Sequence, residues 1–187
     1  MKKTFFLFLI LLIPVLSHSQ IKSANLGLYG GILLPMGDFS NSFNISPSAG
    51  IEGFYPVNAD VDFVADISYN FLTSKLNIPN TNYYFLESAA GIRYNLTPTK
   101  QKFFIEAEVG AYTYGNHYSD NSGSSYNYSK SYFGFNLGVG ALIPVSNKFA
   151  ITGKAKYHDV FSDGNFSPSG SYSNYVTITA GITFSLK

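Results

Sequence analysis

The sequence predicts an all-β protein: an eight-stranded, antiparallel, up-and-down transmembrane β-barrel. Three observations carry that expectation. The last segment, Tyr172 to Lys187, alternates strictly from Tyr175 onward. Val176, Ile178, Ala180, Ile182, Phe184 and Leu186 fall on one face, and Tyr175, Thr177, Thr179, Gly181, Thr183 and Ser185 on the other. Period-2 alternation of that length is a strand with one apolar and one polar face, long enough for the ~9–11 tilted residues that cross a bilayer. A related segment recurs around Gly50, Gly91, Gly140 and Gly181, at spacings of 41, 49 and 41 residues. Each unit holds two long alternating strands, one long loop and one short turn, which suits an up-and-down barrel better than a solenoid or propeller. Finally, apart from Asp159 near the end of the seventh, no strand carries charge on both of its faces.

The chain opens on a leader. Lys2 and Lys3 precede an apolar run from Phe5 to Leu16, and small residues Ser17 and Ser19 flank His18. Charged, apolar and small-residue regions in that order read as a secretory signal peptide over residues 1–19, the apolar run being too short for a membrane-spanning helix. The mature chain is then one domain, residues 20–187. Lys2 and Lys3 take two of the 12 basic residues with them, leaving ten against 11 acidic and a net charge near −1. No basic tract points to nucleic acid. A secreted chain with no Cys relies on something other than disulfides. Aromatic residues make up 17% and charged ones only 12%, too little charge for a surface that faces water on all sides.

The strands follow in order. The first spans about Asn25 to Leu34 and gives way to a loop rich in Gly, Ser, Asn and Pro. Pro47 to Val57 and Val61 to Leu72 follow, joined at Asn58-Ala59. After the loop Thr73 to Asn82 come Tyr83 to Leu96 and Lys102 to Asn116. A Ser-, Gly-, Asn- and Tyr-rich loop then reaches Ser129. Lys130 to Val145 and Lys148 to Phe161 are joined at Ser146-Asn147, and the loop Ser162 to Ser171 leads into the last strand. Four long loops alternate with three short turns. Pro56 and Pro144 sit at strand ends, where a missing N–H is tolerated. No helical period appears outside the leader.

Parity distinguishes the two faces of the wall. Asp62 and Asp66 share a face with Ser68 and Asn70, opposite Phe63, Ala65, Ile67, Tyr69 and Phe71. Glu52, Glu87 with Arg93, Glu106 with Glu108, and Lys154 with Lys156 each lie opposite apolar neighbours. A one-residue slip would carry every charge to the apolar side, so register is strongly specified. Glycines such as Gly27, Gly91 and Gly138 share the charged face and leave room in a narrow interior. Outward aromatics near strand ends (Tyr55, Tyr94, Phe103, Phe149 and Phe184 at the turn end, Tyr69, Phe71 and Phe133 at the loop end) suit interfacial girdles. A secreted lipocalin-like barrel, charged outside and apolar inside, has the same parity. It would expose Gly-rich, lightly charged faces to water.

Short inner turns, longer outer loops and alternating strands resemble the small eight-stranded OmpA/OmpX-like outer-membrane barrels, especially the outer-membrane β-barrel proteins common in Bacteroidota. The Leu34-Pro35-Met36-Gly37-Asp38-Phe39-Ser40 segment is similar to theirs. Thr179, Gly181, Phe184 and Leu186 resemble the C-terminal signal by which such barrels are recognised for insertion, with Lys187 standing where many of them end on an aromatic residue. The resemblance implies a Gram-negative outer-membrane location after leader cleavage. It implies contact with outer-membrane lipid and lipopolysaccharide, and handling by the barrel-assembly machinery.

Little catalytic chemistry is on offer. His158, Asp159, Ser162 and Asp163 are expected near a solvated outer rim, and His117 at the start of a mobile loop. Eight-stranded outer-membrane lipid A deacylases carry a His and a Ser two residues apart on one strand, facing lipid; His158 projects inward with no Ser in that position. Two dispersed His without Cys make no metal site, and Asp159, Asp163 and Asn165 lack the fixed spacing of a Ca²⁺ loop. We therefore expect no catalytic residues, no cofactor and no metal. Tyr112, Tyr114, Tyr118, Tyr126, Tyr128 and Tyr132 make the third hairpin tip aromatic, either as an extended girdle or as an adhesive tip. The leading functional expectation is a monomeric structural envelope protein presenting surface loops. Its lumen is closed by a charge network of Glu52, Asp62, Asp66, Glu87, Arg93, Glu106, Glu108, Lys154 and Lys156. The alternative is a barrel that binds a surface ligand through its loops, and a lipid-modifying enzyme comes third.

Overall fold

The computed structural model describes residues 23–75, 80–97, 101–119, 124–162 and 172–186. The leader, Asp163 and Asn165 lie outside them. Eight strands form the wall: β1 (Asn25–Met36), β2 (Ser46–Pro56), β3 (Val61–Leu72), β4 (Thr81–Asn95), β5 (Lys102–Ser119), β6 (Ser125–Pro144), β7 (Phe149–Phe161) and β8 (Tyr172–Ser185). Each pairs antiparallel with the next, and β8 pairs with β1, so the sheet closes into an up-and-down barrel without a free lateral edge. Every strand has at least 11 residues, enough to cross a bilayer at a tilt.

Local chemistry explains the short turns. The Asn58 carboxamide oxygen accepts from the backbone N–H groups of Asp60 and Val61, both at 2.8 Å, closing the β2–β3 turn. The Ser146 hydroxyl accepts from the N–H groups of Lys148 and Phe149 at 3.2 Å and closes β6–β7. Such side-chain mimicry of a backbone turn is what Asn and Ser do well in these positions.

The wall is inverted relative to a water-soluble barrel. Leu28, Ile51, Ile67, Ile92, Val139 and Ile182 are all about half exposed on the outside, whereas every one of the nine charged strand residues expected inside is buried. This settles the choice against the lipocalin-like arrangement. The interior is narrow, so inward glycines matter where strands crowd. A Cβ on Gly91 would lie 1.9 Å from the Ala107 carbonyl oxygen and 2.7 Å from the Glu108 Cα.

Two expectations are corrected. The segment from Ser119 to Ser129 is mostly ladder rather than loop: β5 and β6 remain paired out to Ser119↔Ser125, with His117 opposite Asn127 inside the strand pair. Its Ser, Asn and Tyr residues look loop-like in composition, yet they alternate. A helical turn also stands where none was expected. Phe39–Ser42 forms α1 directly after Gly37, whose φ of +52° swings the chain inward from β1. Gly adopts that conformation without the steric cost other residues meet. The turn is held by Phe43 N–H donating to the Phe39 carbonyl at 3.2 Å and by backbone bonds from Asn44 to Thr73 and from Lys75 to Ser42.

Candidate functional site in the barrel lumen

The inward-facing residues of all eight strands build a layered interior. Nearest the short-turn end, Arg93 of β4 lies opposite Glu106 of β5 in the ladder. Its Nε and Nη2 donate to Glu106 at 2.9 and 2.7 Å, and Nη2 also reaches Glu52 of β2 at 2.8 Å. The guanidinium lies over the Phe104 ring at 4.0 Å and the Phe54 ring at 4.8 Å, both close enough for cation–π attraction. Arg suits this place because its planar fork binds two carboxylates at once while its faces stack on aromatics.

Higher up, β7 sends two lysines across the lumen. Lys154 Nζ meets Glu52 at 2.5 Å and Asp66 of β3 at 3.2 Å, and sits 4.3 Å from the centre of the Tyr29 ring. The Tyr29 hydroxyl donates to Asp66 at 2.6 Å. Lys156 Nζ lies 3.4 Å from Asp66, 3.4 Å from Glu106 and 2.7 Å from Glu108. These contacts close on themselves. Arg93, Glu52, Lys154, Asp66, Lys156 and Glu106 form a ring of six alternating charges, three positive and three negative.

The ring answers the excess of carboxylates in the sequence. Six acidic residues face three cations, but only three of the six belong to the ring. Glu108 hangs from Lys156 and also accepts from Asn136 at 2.8 Å. Glu87 has no lysine or arginine partner among the described residues. It accepts instead from Asn136 at 2.9 Å, Ser68 at 3.1 Å and Tyr112 at 3.3 Å. Asp62, although it faces Arg93 across the β3–β4 ladder, accepts from Asn95 at 3.1 Å. Buried carboxylates without a cation need such neutral donors, because an unpaired charge in a low-dielectric interior is costly.

His158 is not at a solvated rim. It is 1% exposed, stacks on Tyr175 with ring centres 4.3 Å apart, and its Nε2 lies 3.0 Å from the Thr177 hydroxyl. What covers it is a hydrophobic plug that sequence reasoning missed. Phe39 and Phe43 of the α1 turn enter the barrel mouth and pack with Leu33, Leu72, Phe85, Tyr112, Tyr114, Val160 and Tyr175. Tyr112 and Tyr114 are therefore lumen residues, and Tyr132 packs against the same cluster. Neither reading offered for these three tyrosines, girdle or adhesive tip, describes them. Tyr118, Tyr126 and Tyr128 do stand exposed on the hairpin. The signal for the others was present in the parity: Tyr112 and Tyr114 continue the inward register of Glu106 and Glu108.

Little space is left between these layers. Two voids of about 10 Å³ lie within the lumen, one between Tyr29, Glu52 and Lys154 and one between Asp66, Glu87 and His158. Each is at the lower limit for a single water. At the turn end the lumen widens into a vestibule of about 230 Å³.

The residues of the C-terminal motif take two sides. Thr179, Gly181 and Thr183 face inward, while Phe184 packs edge-on against Phe149 outside, with ring centres 5.3 Å apart. Leu186 is exposed on the outside, its N–H donating to the Ala24 carbonyl at 2.7 Å.

Comparison with known proteins agrees with this architecture. Neisserial surface protein A superposes with a TM-score of 0.67 at 15% identity, over 87% of this chain and 97% of that one. The attachment invasion locus protein Ail of Yersinia pestis, in complex with the heparin analogue sucrose octasulfate, gives 0.58 at 13% identity over 87% and 99%. OprG of Pseudomonas aeruginosa gives 0.53 at 11% identity over 88% and 97%. At these identities the likeness is one of fold. No curated protein sequence matches the chain significantly. The family model for the outer membrane protein beta-barrel domain matches residues 5–186. A closed eight-stranded wall, apolar outside and charged within, and a family match over nearly the whole chain lead to one conclusion: the chain belongs to the outer membrane protein beta-barrel domain family and resides in the Gram-negative outer membrane.

Proposed function

We propose that this protein is a structural barrel of the outer membrane that contributes to envelope integrity and passes no solute. The observation that carries the reading is the closed six-charge ring, capped by the aromatic plug, with voids of only about 10 Å³ between the layers. An eight-stranded barrel encloses a space that side chains can fill, and here they fill it. Planar-bilayer recording of the purified mature protein is the test: the expected trace is flat, and a large, steady conductance would overturn the proposal. The mature protein is read as residues 20–187, inserted by the barrel-assembly machinery through the signal around Phe184 and Leu186. It is read as monomeric, with outer-membrane lipid and lipopolysaccharide against its wall.

No catalytic role is proposed for the lumen. His158 is enclosed between Tyr175, Tyr112 and Glu87, out of reach of a lipid or a soluble substrate.

One observation favours a second reading, ligand binding at the surface. The β5–β6 ladder continues from Tyr112↔Tyr132 to Ser119↔Ser125, beyond Phe133, where the register of β6 with β7 stops. Beyond that point β6 is no longer in ladder with β7, while β5 stays paired with β4 out to Thr81↔Tyr118, and the hairpin presents Tyr118, Tyr126 and Tyr128. Tyr, Ser and Asn are suited to adaptable contacts. The similar Ail structure holds a heparin analogue. A polysulfate ligand is not favoured here, since Lys130 is the sole cation on the described part of this hairpin beyond Phe133. Replacing the hairpin tip with a Gly-Ser linker should abolish host-surface binding under this second reading and leave it unchanged under the first.

A further inference from the structure

We propose that the outer wall carries a serine hydrolase site, Ser119 with His117 and Asn127, for carboxylic esters of long-chain amphiphiles. The three residues stand where β5 and β6 run on as a paired hairpin. All three face away from the barrel axis, on the side that Ile105 and Val109 present to lipid lower down. The Ser119 hydroxyl lies 3.2 Å from His117 Nε2, and His117 Nδ1 lies 2.5 Å from the Asn127 carboxamide oxygen. A carboxamide oxygen can only accept. Nδ1 therefore carries the ring proton, Nε2 keeps its lone pair, and the Ser119 hydroxyl donates to it. A hydroxyl, a base within reach of its proton, and a third group that fixes the tautomer of the base form the arrangement that activates a serine.

The scaffold under these residues is firm. His117 is in ladder with Asn127 on one side and with Asn82 of β4 on the other, and the Ser119 N–H donates to the Asn80 carbonyl at 3.1 Å. His117 and Ser119 are half-buried and Asn127 is exposed, so none of the three is sealed from a substrate. His117 also lines a cleft of about 770 Å³ whose other walls include Tyr69, Phe71, Tyr84 and Asn82. Tyr69 and Phe71 stand exposed on the lipid-facing side. Thr113 and Ser131, hydrogen-bonded to each other at 2.7 Å, begin the polar stretch of the hairpin's outer face. The cleft thus joins an apolar wall to a polar one at the edge of the bilayer. An amphiphile in it lays its acyl chain along the rings and brings its ester linkage up to His117, where Asn82 offers carboxamide donors to the carbonyl oxygen.

In the reaction, Ser119 Oγ attacks the ester carbonyl carbon while its proton passes to His117 Nε2. The bond from that carbon to the alcohol oxygen breaks, and the leaving alkoxide takes the proton from Nε2. A water then attacks the acyl-serine and gives its proton to Nε2. The bond to Oγ breaks, the proton returns to Oγ, and the carboxylic acid departs. One ester and one water yield one acid and one alcohol, and closure of the lumen has no bearing on the step.

The test uses the purified mature barrel in detergent micelles, with p-nitrophenyl octanoate as substrate and a fluorophosphonate as a covalent probe of activated serines. The label should fall on Ser119, located by mass spectrometry of the digested protein. The octanoate should turn over at least about tenfold faster than p-nitrophenyl acetate, which lacks the chain. Ser119→Ala should lose the label and lower kcat/KM by about a hundredfold or more. Asn127→Leu should lower kcat at least about tenfold with little change in KM, and Asn127→Asp, which keeps an acceptor for Nδ1–H, should restore it. Each variant should keep the gel heat shift of the folded barrel. Absence of label on Ser119 of the folded wild type, a Ser119→Ala protein as active as wild type, equal rates on acetate and octanoate, or an unchanged kcat in Asn127→Leu would each overturn the proposal.

Discussion

Removing Arg93 should cost the barrel more than any other single change in the lumen, and the structure says where the cost arises. Arg93→Ala deletes three hydrogen bonds of 2.7 to 2.9 Å and two aromatic face contacts. The two carboxylates it leaves are not equally exposed to the loss. Glu52 retains Lys154 at 2.5 Å, whereas Glu106 retains only Lys156 at 3.4 Å. One buried carboxylate is therefore stranded rather than two. Breaking one side of a buried pair costs about 3–5 kcal/mol; Arg93 lines the vestibule, so its removal opens a path for water to Glu106 and the lower end applies, about 3 kcal/mol. That is roughly a hundredfold in the folding constant, at ~1.4 kcal/mol per decade. Because the loss resides in a stranded charge, Glu106→Gln in the Arg93→Ala background should recover about 1–2 kcal/mol, a coupling of ordinary size for residues in one network. Urea unfolding in lipid vesicles, followed by far-ultraviolet circular dichroism and by gel mobility before and after boiling, measures both. An Arg93→Ala protein within ~0.5 kcal/mol of wild type, or a double variant weaker than the single one, would refute the reasoning.

Other expectations follow from the wall. Phe184→Asp should block membrane assembly, since it places charge on the lipid face and removes the contact with Phe149. Thr183→Asp, one residue away and lining the vestibule, should still assemble, and outer-membrane fractionation of the two variants separates them. Gly91→Ala should lower the urea midpoint by an amount equivalent to about 1–3 kcal/mol, the usual cost of overpacking, because the new methyl meets backbone atoms of β5. Gly53→Ala, with nothing within 4 Å, should stay within about 0.5 kcal/mol of wild type. The chain has no native Cys, so single cysteines report topology cleanly. With short turns on the periplasmic side, Tyr126→Cys should react with an impermeant maleimide on intact cells and Asn147→Cys only after permeabilisation. The reverse pattern would invert the barrel.

Much of the fold was legible because a strand writes its burial in a two-residue period. Asp62 and Asp66, Glu106 and Glu108, and Lys154 and Lys156 each announce an inward face by parity alone, and a closed barrel makes every such face the lumen. Partnerships within the lumen were less legible. That Lys154 meets Glu52 and Asp66 depends on how strands far apart in sequence curve toward one another, and no local pattern records it. The α1 turn escaped because a single turn has no period to detect. Its one trace is the four-residue spacing of Phe39 and Phe43, which puts both rings on the same side. Missing the plug also misplaced His158, since a histidine at the end of a strand looks solvated until something covers it.

The ties from β7 to β2 bear on a matter apart from sealing. The first and last strands of a barrel meet at a seam, which hydrogen bonds between β1 and β8 hold shut. Lys154 stands one strand to one side of that seam, and Glu52 one strand to the other. Their contact works as a clasp behind the joint. A lateral gap between β1 and β8 could not widen by unzipping the ladder alone; it would also have to draw a lysine off its carboxylate inside the barrel. The same clasp cannot form before the two halves of the sheet come round to face each other, so it fastens only a barrel that has already closed.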